Sequence, residues 1–302
     1  MFKQRTDLAF EARELWNESA GQKTKLSGVE ARDYVRQGCQ VTAVRILNDK
    51  GAEAIGKPVG NYVTVEISGF SSREEDGFGR VCRAVSEELR QMLRLPDGGT
   101  VLAVGLGNTR ITPDAVGPKA IENTMVTRHL VENIPEYFGG FRQVAAITPG
   151  VLGTTGVESM EIIRGVAEKV KPEMIIVVDA LASRRMSRLC NTVQLADTGI
   201  VPGSGVGNSR SALNRDTMGI PVIAIGVPTV VDAATLAIDM MNESGISAGH
   251  NEAAIFDRAV SLIVTPKDID ALVADVSKVI GYAINLSLHD GIGMEDINGF
   301  LS

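Results

Sequence analysis

The sequence predicts an α/β fold: a mainly parallel central sheet with helices on both faces, plus additional N-terminal strands. Three observations predict it. Runs such as "TVLAVGLG", "PEMIIVVDAL" and "IPVIAIGV" are apolar throughout, the pattern of strands covered on both faces. These runs alternate with amphipathic stretches of helical period, as in βαβ units. Nearer the front, "CQVTAVRIL" and "NYVTVEIS" alternate apolar and polar residues and are rich in β-branched side chains, the signature of strands added to one side.

Taken in order, residues 8–18 read as a short amphipathic helix, followed by the two alternating strands with "GAEAIGKPVG" as a turn or loop between them. A helix runs from about Asp76 and is stopped by Pro96-Asp97-Gly98-Gly99. "TVLAVGLG" is a strand. A helix over 113–132 follows, with Pro113 in its first turn, and then the strand "FRQVAAIT". "GVESMEIIRGVAEKV" is a helix, "PEMIIVVDAL" a buried strand and "TVQLAD" a strand leading into the glycine-rich "TGIVPGSGVGNSR". "IPVIAIGV" is a strand, 229–242 a helix, and the tail a long helix capped by Thr265. No repeat or linker divides the chain, so one domain with an added N-terminal layer is expected.

Composition narrows the function. The chain has 302 residues, 44% hydrophobic and 22% charged, with a formal charge of −7. That balance is of a globular protein and argues against one that grips nucleic acid, which needs a basic face. Cys39, Cys82 and Cys190 lie far apart with no CxxC, so a zinc ribbon or disulfide framework is not expected and reduced cytoplasmic thiols are. The N-terminus is polar and shows no secretory leader. The most apolar stretch is broken by Pro228 and Asp232, so no membrane span is expected.

Ligands of parallel α/β sheets collect beyond the carboxyl ends of the strands, which brings together the loops after Gly107, at Pro149–Gly156 and after Asp179. Asp114 and Asp179 each follow a strongly apolar strand. A carboxylate at the edge of a low-dielectric core resists ionising, and two close together divide into a general acid and a general base. Duller readings stand beside this one. Asp114 is equally placed as an N-terminal helix charge, and Asp179 as a cap or a partner of Arg184 or Arg185. Asp197 and Asp232 are also strand-end acids and rank below the first two. "GLGN" and "GSGVGN" suit a phosphate but complete neither a P-loop nor a GxGxxG motif. In "TPGVLGTTG", the hydroxyls and N–H groups around Thr154, Thr155 and Gly156 either bind a peptide backbone or an oxyanion, or form a tight turn in which Thr154 or Thr155 caps the helix. His129, His250 and His289 fall outside these loops and form no metal-binding spacing, so no cofactor is expected.

The segments "VGLGNTRITPDAVGPKAIENTMVTRHL", "TPGVLGTTGVESMEIIRGV", "VVDALASR", "DTGIVPGSGVGNSR" and "IPVIAIGVPTVVDAAT", with "RTDLAFEA" in front and "VTPKDIDALV" behind, resemble the spore germination proteases of endospore-forming bacteria. The resemblance runs in order along nearly the whole chain. It implies a phosphorylase/hydrolase-like architecture similar to that of the hydrogenase maturation proteases. It also implies an endopeptidase of the spore core that degrades small acid-soluble spore proteins during germination. The mechanism so implied is atypical aspartic, with Asp114 and Asp179 essential. Gly107 and Asn108, with Thr154, Thr155 and Gly156, are candidates for binding the substrate or its oxyanion. The resemblance further implies a cytoplasmic homotetramer made as a zymogen that trims its own N-terminus. The cut matches Asp7–Leu8, making residues 1–7 a pro-segment and 8–302 the peptidase domain. The implied substrate pattern is an acidic residue, a bulky apolar one, a small one, a variable one, then Glu, which residues 7–11 follow. The rival readings are a metal-dependent peptidase using the same carboxylates and a non-enzymatic nucleotide-binding α/β protein.

Overall fold

A computed structural model describes residues 5–20, 26–67, 76–96, 98–203, 211–246, 254–255, 257 and 262–302. Its strands are β1 (Val29–Arg36), β2 (Cys39–Ile46), β3 (Gly60–Glu66), β4 (Val101–Gly105), β5 (Val144–Ile147), β6 (Met174–Ser183), β7 (Thr192–Ala196), β8 (Val222–Asp232) and β9 (Ile263–Val264). They form one sheet in the order β1-β2-β3-β7-β8-β6-β4-β5, with β9 paired to the far end of β8. The apolar runs supply the parallel segment β8-β6-β4-β5. The alternating N-terminal strands join it as an antiparallel extension through β3 and β7. The expected fold class holds.

Period-two alternation along each strand divides the core into two faces. Val101, Ala103, Ile176, Val178, Ile223 and Ile225 point one way. There they meet helices α3 (Gly77–Met92), α4 (Val116–Glu122), α11 (Ile269–Leu288) and α12 (Met294–Leu301). Leu102, Val104, Ile175, Val177, Val222 and Ala224 point the other way, toward α1 (Ala9–Ala20), α2 (Asp49–Ile55) and α8 (Ser159–Val170). By length and composition α11 alone among the described residues is apolar enough to cross a bilayer, yet most of it is buried against α3, α4 and the sheet. All three cysteines are buried and unpaired.

Several elements differ from the sequence reading, each for a local reason. "GAEAIGKPVG" holds α2, which Asn48 caps through its Oδ1 on the Gly51 N–H and which Gly56 ends in the left-handed conformation. The helix expected over 113–132 is broken into the 3-10 turn Thr112–Asp114, α4 and α5 (Arg128–Asn133). Asn123 and Thr124 end α4 by turning their side chains onto the Lys119 and Ala120 carbonyls. A helix does not start at 229. β8 runs on through Pro228 to Asp232, past a register shift opposite Leu181 and Ala182, and Asp232 caps α10 (Ala233–Glu243) through the Thr235 N–H. Thr265 does not cap the last long helix, because its hydroxyl donates to the Thr229 carbonyl and α11 begins four residues later. The sequence reading also passed over β1 and α12. The remaining helices α6 (Pro135–Phe138), α7 (Leu152–Thr155) and α9 (Arg215–Met218) are single turns.

His289 closes α11 and is buried, its Nδ1 accepting the Arg142 N–H at 3.3 Å. Burial, helped by the nearby Arg142 charge, pulls its pKa down to about 4 from the ordinary 6.5. As pH falls below 6.5 the unfolded chain takes up this proton and the folded chain does not. Stability therefore declines across that window and the loss is complete near pH 4. Urea unfolding at pH 5 against pH 7 is expected to show a loss of about 2 kcal/mol from this site. That part of the pH dependence should vanish in His289→Gln.

Candidate active site

The site exists because neighbouring parallel strands end at different places. β4 stops at Gly105, opposite Val178, and its last bond to β6 is from the Leu106 N–H to the Val178 carbonyl at 2.8 Å. β6 continues to Ser183 along β8. Asp179 thus stands just beyond the point where β4 turns away, paired with Gly226 on β8 and with no strand residue on its other side. It is not the end of its strand, as the sequence suggested, but its sixth residue. It lies on the face of Ile175 and Val177, is 5% exposed, and its Oδ1 accepts the N–H of Ala180 at 2.9 Å.

The chain leaving β4 delivers the second acid. Gly107 has φ +123°, and a Cβ there would sit 1.9 Å from the Asp114 carbonyl oxygen, so only glycine lets the loop close on itself. The N–H of Asn108 reaches both the carbonyl (3.0 Å) and Oδ2 (2.9 Å) of Asp114. Asp114 ends a single 3-10 turn before α4 and so precedes that helix. Asn108 is therefore the residue that orients Asp114.

Asp114, Asp179 and Gly107 line one cavity of about 260 Å³, together with Val151, Ser159, Pro202 and Thr229. The loops after Gly107 and at Pro149–Gly156 both reach this cavity, but where a third loop was expected after Asp179 the wall is strand β6 itself, and the cavity has a third acid, Asp7. The Asp7 N–H donates to the Ala182 carbonyl and its Oδ2 accepts the Ala182 N–H, both at 2.9 Å, so the N-terminal segment lies along β6 beyond Asp179. Gln194 of β7 donates through Nε2 to the Asp7 carbonyl at 3.1 Å and accepts the Ala9 N–H on Oε1 at 2.8 Å. The Nζ of Lys57, mostly buried, stands 3.9 Å from Asp7 Oδ1. Leu8 and Ala9 are fully buried.

The segment is tied down on either side. The Arg5 N–H donates to the Thr235 hydroxyl. Glu11 is buried and accepts from the Thr6 hydroxyl and from the Arg184 and Arg185 N–H groups. Burial pushes the Glu11 carboxyl up against the pull of those donors. The Arg184 guanidinium binds Asp239 on α10 (2.7 and 3.0 Å) and Glu18 on α1 (2.9 Å), and burial pushes Asp239 up despite that pairing.

Other residues proposed from sequence lie elsewhere. The N–H groups of Thr154, Thr155 and Gly156 are spent on the Val151 and Leu152 carbonyls in one short turn, and none of the three lines the cavity. The tight turn expected there is present, but neither threonine caps α8, whose N-cap is Glu158, and the N–H groups are not left for an oxyanion. Asp197 holds the Asn61 N–H and side-chain amide, and Asp232 caps α10. His129 is exposed on α5 and, like His289, is away from the cavity. His250 and residues 204–208 of "GSGVGN" lie outside the described residues. Among the described residues no group of three or more His, Cys, Asp or Glu is placed to hold a metal ion. Sequence reasoning missed Lys57 and Gln194 as site residues. Gln194 carried a faint signal, an amide set in the apolar strand "TVQLAD", whereas Lys57 sat in a stretch read as a loop.

Comparison with known proteins gives the family. The profile described as "Germination protease" matches residues 9–243. The chain is 44% identical to the germination protease of Clostridium tetani, covering 99% of each chain. It is 42% identical to that of Caldanaerobacter subterraneus (98% of each) and 36% to that of Priestia megaterium (98% and 96%). Among solved structures it is similar to the [NiFe] hydrogenase maturation protease HycI from Thermococcus kodakarensis. That likeness has 16% identity and a TM-score of 0.36, and covers 65% of this chain and 98% of that one. By sequence along its whole length, the chain belongs to the germination protease family of peptidases.

Proposed function

We propose that this peptidase is an endopeptidase that opens the degradation of small acid-soluble spore proteins at germination. Asp114 and Asp179 are its catalytic carboxylates. The observation that carries the reading is that these two acids, remote in the chain, line one cavity into which the chain's own N-terminal segment also reaches. One carboxylate takes a proton from water as the water oxygen bonds to the peptide carbonyl carbon. The other donates a proton to the leaving nitrogen as the carbon–nitrogen bond breaks. Acid–base help of this kind supplies about 10²–10⁴-fold in rate. Asp179 is held, buried, on rigid strand backbone just past the apolar run of β6, which supports its role as one of the pair.

The same reading makes the chain a zymogen that cuts itself between Asp7 and Leu8. Its support is the seating of Asp7 in the cavity wall and the bonds that fix the backbone on both sides of that link. A homotetramer in the cytoplasm of the spore core, with no cofactor, completes the proposal.

Two measurements test it. Incubation with a small acid-soluble spore protein, followed by mass spectrometry, is expected to show cleavage after acidic residues and loss of residues 1–7 from the chain itself. Asp114→Asn and Asp179→Asn are each expected to melt within a few degrees of the wild type and to lose at least about 10²-fold in turnover. Wild-type turnover in either variant removes the carboxylate pair from the mechanism.

A further inference from the structure

We propose that Lys57 selects an acidic side chain on the residue before the cut, and that Gln194 holds the backbone across the cut by bonding on both sides of it. The assignment rests on the reading of this cavity as a peptidase site with Asp7–Leu8 as its first substrate.

Gln194, Gly226 and Asp179 lie in one row across β7, β8 and β6, and all three face the side on which the N-terminal segment lies. Two strand spacings put the Gln194 and Asp179 backbones about 9–10 Å apart. Gly226 between them has no side chain, and its place is taken by Leu181, whose Cδ1 lies 2.3 Å from where a Gly226 Cβ would be. Across this row lies a stretch of backbone gripped by one amide. Gln194 donates to the carbonyl of Asp7 and accepts from the N–H of Ala9, so the Asp7–Leu8 bond is bracketed without any demand on side-chain type. A donor on the Asp7 carbonyl is also placed to receive the charge that develops there when water adds.

Selection falls to the Asp7 side chain. Its Oδ2 accepts the Ala182 N–H and its Oδ1 faces Lys57 Nζ at 3.9 Å. The cavity that holds Asp114 and Asp179 adjoins a second one of about 210 Å³, lined by Lys57, Tyr62, Gln194 and Thr198, and Asp7 and Leu181 belong to both. Burial lowers the Lys57 pKa, while the Asp7 and Glu11 carboxylates act the other way. The acid seated beside the amine thus offsets part of the cost of charging it. A neutral side chain in the place of Asp7 leaves a buried ammonium without that compensation, which makes the discrimination a penalty on the wrong residue rather than only a reward for the right one. The positions flanking the bond are recognised by different groups, Leu8 by full burial and Glu11 by the Arg184 and Arg185 N–H groups.

The test uses two peptides with the sequence of residues 5–12, one with Asp and one with Asn at position 7, and mass spectrometry of the products. Both compete with the chain's own segment, so the ratio of their kcat/KM values is the readout. The wild type is expected to favour the Asp peptide by about tenfold or more, and Lys57→Gln to bring the ratio to within about twofold. Gln194→Leu should slow both peptides by about 10²-fold and leave the ratio as it was. Where Lys57→Gln alone folds poorly, pairing it with Asp7→Asn in the chain removes both buried groups at once. An unchanged ratio in Lys57→Gln overturns the role of Lys57, and a ratio altered by Gln194→Leu overturns the division of labour. If the wild type cuts neither peptide, the peptidase reading of this cavity fails, and calorimetry decides Lys57 by itself. In that case Asp179→Asn should bind the Asp peptide more tightly and Asp179→Asn with Lys57→Gln should bind both alike, whereas equal binding by Asp179→Asn overturns the proposal.

Discussion

Everything about this site depends on β4 being shorter than β6. After Val104 the β4 chain reaches Gly105, makes one further bond from Leu106 to β6, and turns away. β6 has β8 on its other side and so keeps its backbone bonds satisfied for four more residues beyond Asp179. The half-paired stretch leaves an unoccupied edge just where the strand changes from aliphatic residues to a carboxylate. Into that notch fall the Gly107–Asp114 loop from one direction and the N-terminal segment from the other. An α/β sheet whose strands all stopped at the same level would offer a crevice only above its ends. Here the crevice is cut into the sheet, and Asp179 is held on rigid backbone within it.

The second organising feature is the short turn after β6. The N–H groups of Arg184 and Arg185 grip Glu11, while the Arg184 guanidinium ties α1 to α10 through Glu18 and Asp239. Burying such a pair gains little over apolar packing, but removing one partner costs about 3–5 kcal/mol, since the other is left buried and uncompensated. What the cluster does supply is position. It sets α1 so that residues 6–9 reach the cavity wall at one register, with Asp7 against Ala182 and Leu8 sealed in the core. The antiparallel extension contributes in the same way, since β7 presents Gln194 and the loop before β3 presents Lys57. The added N-terminal strands therefore do more than widen the sheet. They bring the polar groups that meet the segment on the side away from Asp114.

Much of this was legible in the chain. The unbroken apolar runs identify the parallel strands, and the two acids stand out because a carboxylate directly after "MIIVV", or on the short loop that follows "VLAVG", has little packing role. Where the reading went astray, side chains acted on the backbone at short range. Asn48 and Gly56 make a helix of "DKGAEAI", Asn123 and Thr124 cut a long helix short, and Thr154 and Thr155 fold their own loop instead of serving the cavity. Such contests between a polar side chain and the backbone turn on a few tenths of an ångström and leave no periodic trace.

The sequence by itself determined the class of fold and the positions of the apolar strands along the chain, and it singled out Asp114 and Asp179 as candidates, because these follow from apolar periodicity and from motifs that are contiguous along the chain. Only the tertiary structure decided that β4 ends early, that Asp7 joins Asp114 and Asp179, that Lys57 meets the Asp7 carboxylate, and that Gln194 meets the backbone on both sides of Leu8. Those facts depend on strand register and on contacts between residues fifty to nearly two hundred positions apart, which no local pattern encodes.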